Sequence, residues 1–325
     1  MEKNFFDSPA GYRVQKTLKA PVSFSGVGLH CGKRTRVELS PAPANHGIIL
    51  LRTDLAGAKP ILAHFNAVVC TKLATTIGFK EHPDSNLMTV EHILAALYAM
   101  GVNNVLVKVD GPEIPIMDGS AGPFLEGILD TGIELQPYSA PVLKILKPIK
   151  VYEKGAICEL LPRDQLRLTT SIDFAHPSVG PQTYALEVTP RNFQREVSSS
   201  RTFGFLKDQQ LLQSMNLALG ASLENVLAFS DEGILNPEGQ RHEDECVRHK
   251  LLDALGDLAL CGSWIEGEML SFRGGHSMHL ALLKALETHP THWSLSRAEP
   301  LAQFSYSAER YQPTRPLPIT EIIEA

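Results

Sequence analysis

RHEDECVRHKLLDALGD, residues 241–257, carries the pattern around which the rest of the chain is organised. Leu251, Leu252, Leu255 and Leu258 recur at three- and four-residue spacing, which predicts a helix with an apolar face starting near Glu243. His249 and Asp253 are four residues apart on that helix, so their side chains stand side by side, and Asp257 lies a further turn along the same edge. A neutral imidazole and a carboxylate held this way can present a nitrogen and an oxygen to one divalent ion at about 2.0–2.2 Å. This is the logic of the H-E-x-x-H helix with an aspartate in place of the second histidine. Taken alone, such a pair is more often plain i,i+4 decoration of a helix surface. Residues elsewhere in the chain favour the ligand interpretation.

The chain has 325 residues, 43% of them hydrophobic, enough for two domains or one large one with an ordinary buried core. A formal charge of −6 argues against a nucleic-acid-binding surface, while local basic groups can still hold an anionic substrate. Cys31, Cys70, Cys158, Cys246 and Cys261 are odd in number and form no C-x-x-C pair, which suits neither a disulfide framework nor a structural zinc knuckle. The start, MEKNFFDSPAGYRVQ, has no apolar signal core, and no apolar run approaches the about eighteen residues of a membrane span. The expectation is a soluble, cytoplasmic, monomeric protein without a nucleic-acid partner.

From Arg13 to Thr53 the sequence reads as short strands, VQKTLKAPVSFSG, RTRVELSPA and GIILLRTDL. Between the first two lies GVGLHCG; a dinucleotide-binding loop would need a glycine where Cys31 stands and a helix after it, so that reading is rejected. His30, flanked by glycines in this turn, can face a site, although a lone turn histidine is more often exposed. A further strand region spans Ala67 to Phe79. TVEHILAALYAMG then predicts a helix with Thr89 as N-cap and Gly101 as stop, followed by a strand over Val105–Val109, a turn at Asp118-Gly119-Ser120 and a second helix. From Pro141 the pattern restarts with hairpins, the strands LRLTTSIDF and TYALEVT, a helical FLKDQQLLQSM, the helix quoted first, a strand GEMLSF, a Gly274-Gly275 turn and a last helix from His276. The organisation expected is α+β, with two similar domains over residues 1–138 and 139–298 and a proline-bearing C-terminal extension over 299–325.

The two halves echo each other: aligning His92 with His249 sets EHILAAL over RHKLLDAL. Two such units packed helix to helix would bring His92 to His249 and Asp253 at a seam, where pockets form. Three protein ligands with a fourth position left to water describe a catalytic zinc site, suited to hydrolysing an amide or ester. Glu91, directly before a ligand, fits a general base, or else is an acid placed in a helical first turn by the dipole. His276 fits a proton donor to a leaving amine, with Asp257 orienting its ring. Lys250, turned about 100° from His249, can reach a substrate phosphate or stay solvated. Thr202 in SSSRTFGF can donate to a developing oxyanion.

Together the segments GVGLHCG, TVEHILAAL, PEIPIMDGSAGPF, SRTFGF, DECVRHKLLDALGDL and GGH resemble the bacterial UDP-3-O-acyl-N-acetylglucosamine deacetylase family, the zinc hydrolases of lipid A biosynthesis, in the right order from about residue 12 to 280. The resemblance implies two domains, each a mainly antiparallel sheet packed on two helices, with the active site between them. It implies His92, His249 and Asp253 as ligands of one Zn2+ (Fe2+ being possible), Glu91 as base, and His276 as acid supported by Asp257. It further implies Thr202 polarising the acetyl carbonyl, Lys250 meeting the sugar nucleotide, and Phe203 beside the acyl-chain passage, and His30 is expected among the substrate-binding residues. The reaction implied is removal of the N-acetyl group of UDP-3-O-acyl-N-acetylglucosamine as acetate. An insert around Leu206 to Phe229, with Leu211, Leu212, Met215, Leu217 and Leu219, would line a channel for the acyl chain. The residues after His276 depart from the family motif. Two other readings compete: a sugar-nucleotide-binding protein that keeps the metal without turnover, and an α+β structural protein with no metal.

Overall fold

The computed structural model describes residues 9–301. Two five-stranded sheets dominate it. The first is built from β1 (Val22–Val27), β2 (Arg34–Pro41), β3 (Ile48–Arg52), β4 (Ile61–Leu62) and β5 (Val105–Val109), in the order β1-β2-β5-β3-β4. The second is built from β6 (Ile149–Glu153), β7 (Ala156–Leu161), β8 (Arg167–Phe174), β9 (Gly180–Glu187) and β10 (Glu268–Phe272), in the order β6-β7-β10-β8-β9. Position by position the two orders are the same. Each sheet is antiparallel except for one internal parallel pair, β3 with β5 and β8 with β10. A parallel pair needs a long crossover. In each half that crossover holds a helix, α1 (Glu91–Ala99) in the first and α5 (Glu245–Ala259) in the second.

Each sheet is covered by two helices. α1 and α2 (Gly122–Thr131) serve the first; α5 and α6 (His276–Thr288) serve the second, after the shorter α3 (Pro190–Glu196) and α4 (Gln209–Ser214). The symmetry extends to the flanks, where Val14–Leu18 pairs antiparallel with Ile133–Ser139, after α2, and Val142–Ile145 pairs antiparallel with Trp293–Leu295, after α6. The echo between EHILAAL and RHKLLDAL thus belongs to a repeated architecture. The repeat is offset in one respect, since His92 sits in the first turn of α1 whereas His249 lies a turn inside α5.

Alternation places the core. In β5 the inward Val105, Val107 and Val109 are buried between half-exposed neighbours, and Val37, Leu39 and Leu50 join them in one cluster with Ile93, Leu94 and Leu97 of α1. The same cluster contains Leu251, Leu252, Leu255 and Leu258 of α5, so the halves share one core. Every residue of α1 is buried, as expected of a helix enclosed on all sides. Hydrogen bonds cross the seam from Tyr98 Oη to the Ser263 carbonyl (3.1 Å) and from Ile265 N–H to Tyr98 Oη (3.0 Å), while Tyr12 Oη donates to the Ala99 carbonyl (2.7 Å) within the first half. Tyr12 stacks on Trp264 at 3.6 Å.

Local differences from the sequence expectations have physical causes. The helix expected from Glu243 begins at Glu245. Thr89 does not cap α1, whose preceding residue is Val90; Thr89 takes φ +59° and gives its hydroxyl to Glu113 instead. α3 was not expected, although Thr189 caps it by accepting from Asn192 N–H and Pro190 opens it. FLKDQQLLQSM yields only a 3₁₀ turn over Leu206–Asp208 followed by α4. Leu211 there is 61% exposed, and Met215 and Leu219 are exposed too, so this stretch lies outside the core. Of the expected C-terminal extension, the residues from 302 onward lie outside the described region, and Glu299 and Leu301 N–H groups bond to Ser139 Oγ and the Pro137 carbonyl.

α1 and α5 make the main helix contact between the halves. Gly256 permits it, because a Cβ there would overlap the carbonyl oxygen of Glu91. Gly256→Ala gains about 1 kcal/mol of helix propensity but incurs about 3 kcal/mol of overpacking against rigid backbone. A net loss of about 2 kcal/mol is expected from that balance, measured by chemical denaturation, together with loss of activity as α1 is pushed aside.

Candidate active site

The first turn of α1 and the second turn of α5 face each other where Gly256 lets the helices meet. His92 Nε2 lies 3.6 Å from Asp253 Oδ1, and His249 Nε2 lies 3.3 Å from the same oxygen. The imidazole planes are nearly perpendicular at a centroid distance of 5.0 Å. Ligand atoms bound at about 2.0–2.1 Å to one tetrahedral ion stand about 3.3–3.5 Å apart, so these spacings fit a divalent cation. All three residues are buried, and one donor atom of each lies within 4.8 Å of the others.

The electrostatics fit the same ion. His249 Nδ1 is 3.0 Å from the Ser200 carbonyl oxygen, which can only accept, so Nδ1 carries the proton and Nε2 keeps its lone pair toward Asp253. Burial, opposed by Asp253, lowers the His249 pKa to about 4, which keeps the ring neutral as a ligand must be. Burial alone would raise the Asp253 carboxyl, but Lys250, His249 and His92 outweigh it and hold it well below the usual range. Lys250 Nζ donates to Asp253 Oδ2 at 2.6 Å, so the ammonium expected to be free for substrate leans on the triad, and Asp253 in turn raises the lysine pKa against the effect of burial. His92 Nδ1 is buried and finds no hydrogen-bond partner among the described residues.

Beside the triad stand a carboxylate and an imidazole of different character. Glu91 is buried, and its Oε2 accepts from Thr75 N–H (3.1 Å). Desolvation raises its pKa to about 6, against the nearby His276 and His92. Its Oε1 is 3.9 Å from His276 Nε2. His276, at the start of α6, gives Nδ1–H to Asp257 Oδ2 at 2.8 Å. Burial alone would lower the His276 pKa, but Asp257 raises it to about 9. Asp257 is held well below the ordinary carboxylate range, against burial, by His276, His279 and their hydrogen bonds. The Asp257, His276 and His279 atoms also lie close enough to hold a metal, but both Nδ1 atoms sit at hydrogen-bond distance from a single oxygen, and their protons explain the cluster.

The remaining candidates surround this centre. His30, expected more often exposed, is buried: Glu113 accepts from the His30 and Cys31 N–H groups at 2.9 and 2.8 Å and from Thr89 Oγ1 at 2.7 Å, which ties the GVGLHCG turn to the segment leading into α1. His30 Nδ1 accepts from Ala218 N–H (3.4 Å), and its Nε2 is buried with no partner among the described residues. The Phe203 ring lies 6.3 Å from that of His249 and joins an aromatic group with Phe174 and Phe205. Thr202 is fixed through its backbone, N–H to the Gly119 carbonyl (2.7 Å) and carbonyl to Leu227 N–H (2.8 Å), and no hydrogen bond of its hydroxyl is seen among the described residues. The sequence reasoning missed Thr75, Glu113 and His279. His279 had a signal, since it falls three residues after His276 on the same expected helix; Thr75 had none.

A duplicated α+β fold with a buried His-His-Asp group between its halves, and a carboxylate and an imidazole beside it, defines the class as that of metal-assisted hydrolases. The family model for UDP-3-O-acyl N-acetylglycosamine deacetylase matches residues 15–288, and this chain belongs to that family. It is 43% identical over 283 residues to the UDP-3-O-acyl-N-acetylglucosamine deacetylase of Myxococcus xanthus, covering 87% of this chain and 89% of that one. It is 41% identical over 288 residues to that of Citrifermentans bemidjiense (89% and 93%), and 42% identical over 281 residues to that of Histophilus somni (86% and 92%).

If the triad holds the ion, Asp253→Ala removes both a ligand and the partner of Lys250. Elemental analysis should then find metal at background, with the fold retained by circular dichroism.

Proposed function

We propose that the chain hydrolyses the N-acetyl amide of UDP-3-O-acyl-N-acetylglucosamine to acetate and the free amine, the deacetylation step of lipid A biosynthesis. The observation that carries the mechanism is the placement of Glu91 Oε1 and His276 Nε2, 3.9 Å apart, against the metal-capable triad. His92, His249 and Asp253 hold the ion, which we take to be zinc, ferrous iron suiting the same donors. When bound, the ion acts as a Lewis acid on the amide carbonyl and the attacking water.

The chain's own groups then divide the proton work. Glu91, ionised near neutrality and steadied by Thr75 N–H, takes the proton from water as it attacks the acetyl carbon. His276, protonated and aimed by Asp257, gives its Nε2 proton to the nitrogen as the C–N bond breaks. Thr202 is assigned to the oxyanion and Phe203 to the start of the acyl passage. His30 and Lys250 are assigned to the sugar nucleotide; an ammonium has three N–H donors, so Lys250 can keep Asp253 while meeting substrate. Among the described residues no helix is long and apolar enough to cross a membrane. We take the enzyme to act as a monomer in the cytoplasm.

Acetate release from the substrate, abolished by chelator and restored by zinc, tests the activity. A chain that binds zinc and substrate but releases nothing is instead a binding protein. Glu91→Ala should lower kcat about 10²–10⁴-fold with metal content unchanged; near-parental turnover would remove the base assignment. Activity needs Glu91 ionised and His276 protonated, so kcat/KM should rise with pH through about 6 and fall through about 9. A profile flat across that range would count against the pair.

A further inference from the structure

Asp257 accepts more hydrogen bonds than orienting one imidazole requires. Its Oδ1 takes Thr75 Oγ1–H at 2.6 Å, and its Oδ2 takes both His276 Nδ1 at 2.8 Å and His279 Nδ1 at 2.7 Å. The His276 and His279 rings stand nearly perpendicular, 84° apart in plane. Behind His279, its Nε2 lies 3.4 Å from Ser271 Oγ, itself 3.5 Å from Cys158 Sγ. One proton arrangement satisfies the whole row: Cys158 Sγ–H donates to Ser271 Oγ, Ser271 Oγ–H to His279 Nε2, and His279 Nδ1–H to Asp257. Cys158, Ser271, His279 and Asp257 are all buried. Gly274, in the turn leading into α6, closes over them, because a Cβ there would overlap Ser271 Oγ.

We propose that His279 is a positioning residue for the reaction: its Nδ1–H pins Asp257 Oδ2 at the point where that oxygen orients the His276 imidazole. This rests on the assignment of His276 as the acid. A carboxylate held only by His276 and Thr75 retains freedom to rotate about its Cβ–Cγ bond, and the imidazole swings with it. With two imidazoles on Oδ2 and a hydroxyl on Oδ1, one orientation remains, and His276 Nε2 keeps its aim toward Glu91. A carboxylate can only accept, so the nitrogen that meets Asp257, Nδ1, carries the proton, which leaves Nε2 facing Ser271 as acceptor.

The test compares His279→Asn with His279→Gln in the metal-loaded full chain, with His276→Ala alongside. An asparagine amide nitrogen is attached to Cγ, as Nδ1 is, and keeps the bond to Asp257; the glutamine amide lies one bond further out and loses it. His279→Gln should lower kcat about 10–100-fold, the range for removing such supporting partners, with KM and metal content unchanged, while His279→Asn stays near the parent. A structural role alone would not separate two amides of similar polarity. Proton NMR of the parent, which needs no turnover, should show two slowly exchanging downfield imidazole N–H signals held by Asp257. In both variants the His279 signal disappears, and in His279→Gln the remaining signal exchanges faster. Parental kcat in His279→Gln, a His279→Asn as slow as His279→Gln, or a single such signal in the parent would each overturn the proposal; the last holds even if a variant fails to fold. If His276→Ala itself turned over normally, the acid assignment would fail, and with it the reading on which this proposal rests.

Discussion

The close approach of α1 to α5 is the constraint on which everything else depends. His92 comes from one half and His249 and Asp253 from the other, and no hydrogen bond among the described residues ties His92 to α5 apart from the contact within the triad. Its place is set by packing alone, through a helix with no exposed face. A glycine on α5 where the Glu91 carbonyl arrives allows that packing, and a shared apolar core makes the two halves move together.

Within this seam the buried carboxylates are distinguished by the donors each receives. Asp257 accepts three hydrogen bonds and Asp253 holds an ammonium, and both are kept strongly acidic despite burial. Among the described residues Glu91 receives one backbone N–H, so desolvation prevails and its pKa rises toward neutrality. The least supported acid is thereby the one suited to exchanging a proton. Glu113, a fourth buried carboxylate, receives backbone N–H groups and a hydroxyl and does structural work, fastening the His30 turn to Thr89 just ahead of α1.

Much of this was legible in one dimension. The leucine spacing after Glu245 and the alternation in VLVKV gave the main helix and a central strand, and the EHILAAL and RHKLLDAL echo pointed to the repeated unit. His249 and Asp253 were readable as neighbours because a helix fixes side chains four apart on one face. Thr89 was misread because an N-cap signature cannot show that a buried carboxylate competes for the hydroxyl. For His30 the sequence left exposure and a place at the site both open, because the turn that holds it is fastened by a glutamate more than eighty residues away. Thr75 carried no pattern at all.

By itself, then, the sequence determined what is local and periodic: the elements, their apolar faces, and the pairing of His249 with Asp253 on one turn. It also marked the duplication, because similar segments fold by similar rules. Only the tertiary structure decided which residues meet across the seam. Only it decided which nitrogen of each histidine faces inward, and which carboxylate is left short of donors. Those outcomes arise from contacts between segments far apart in the chain, and from desolvation, which exists only once the core has closed around them.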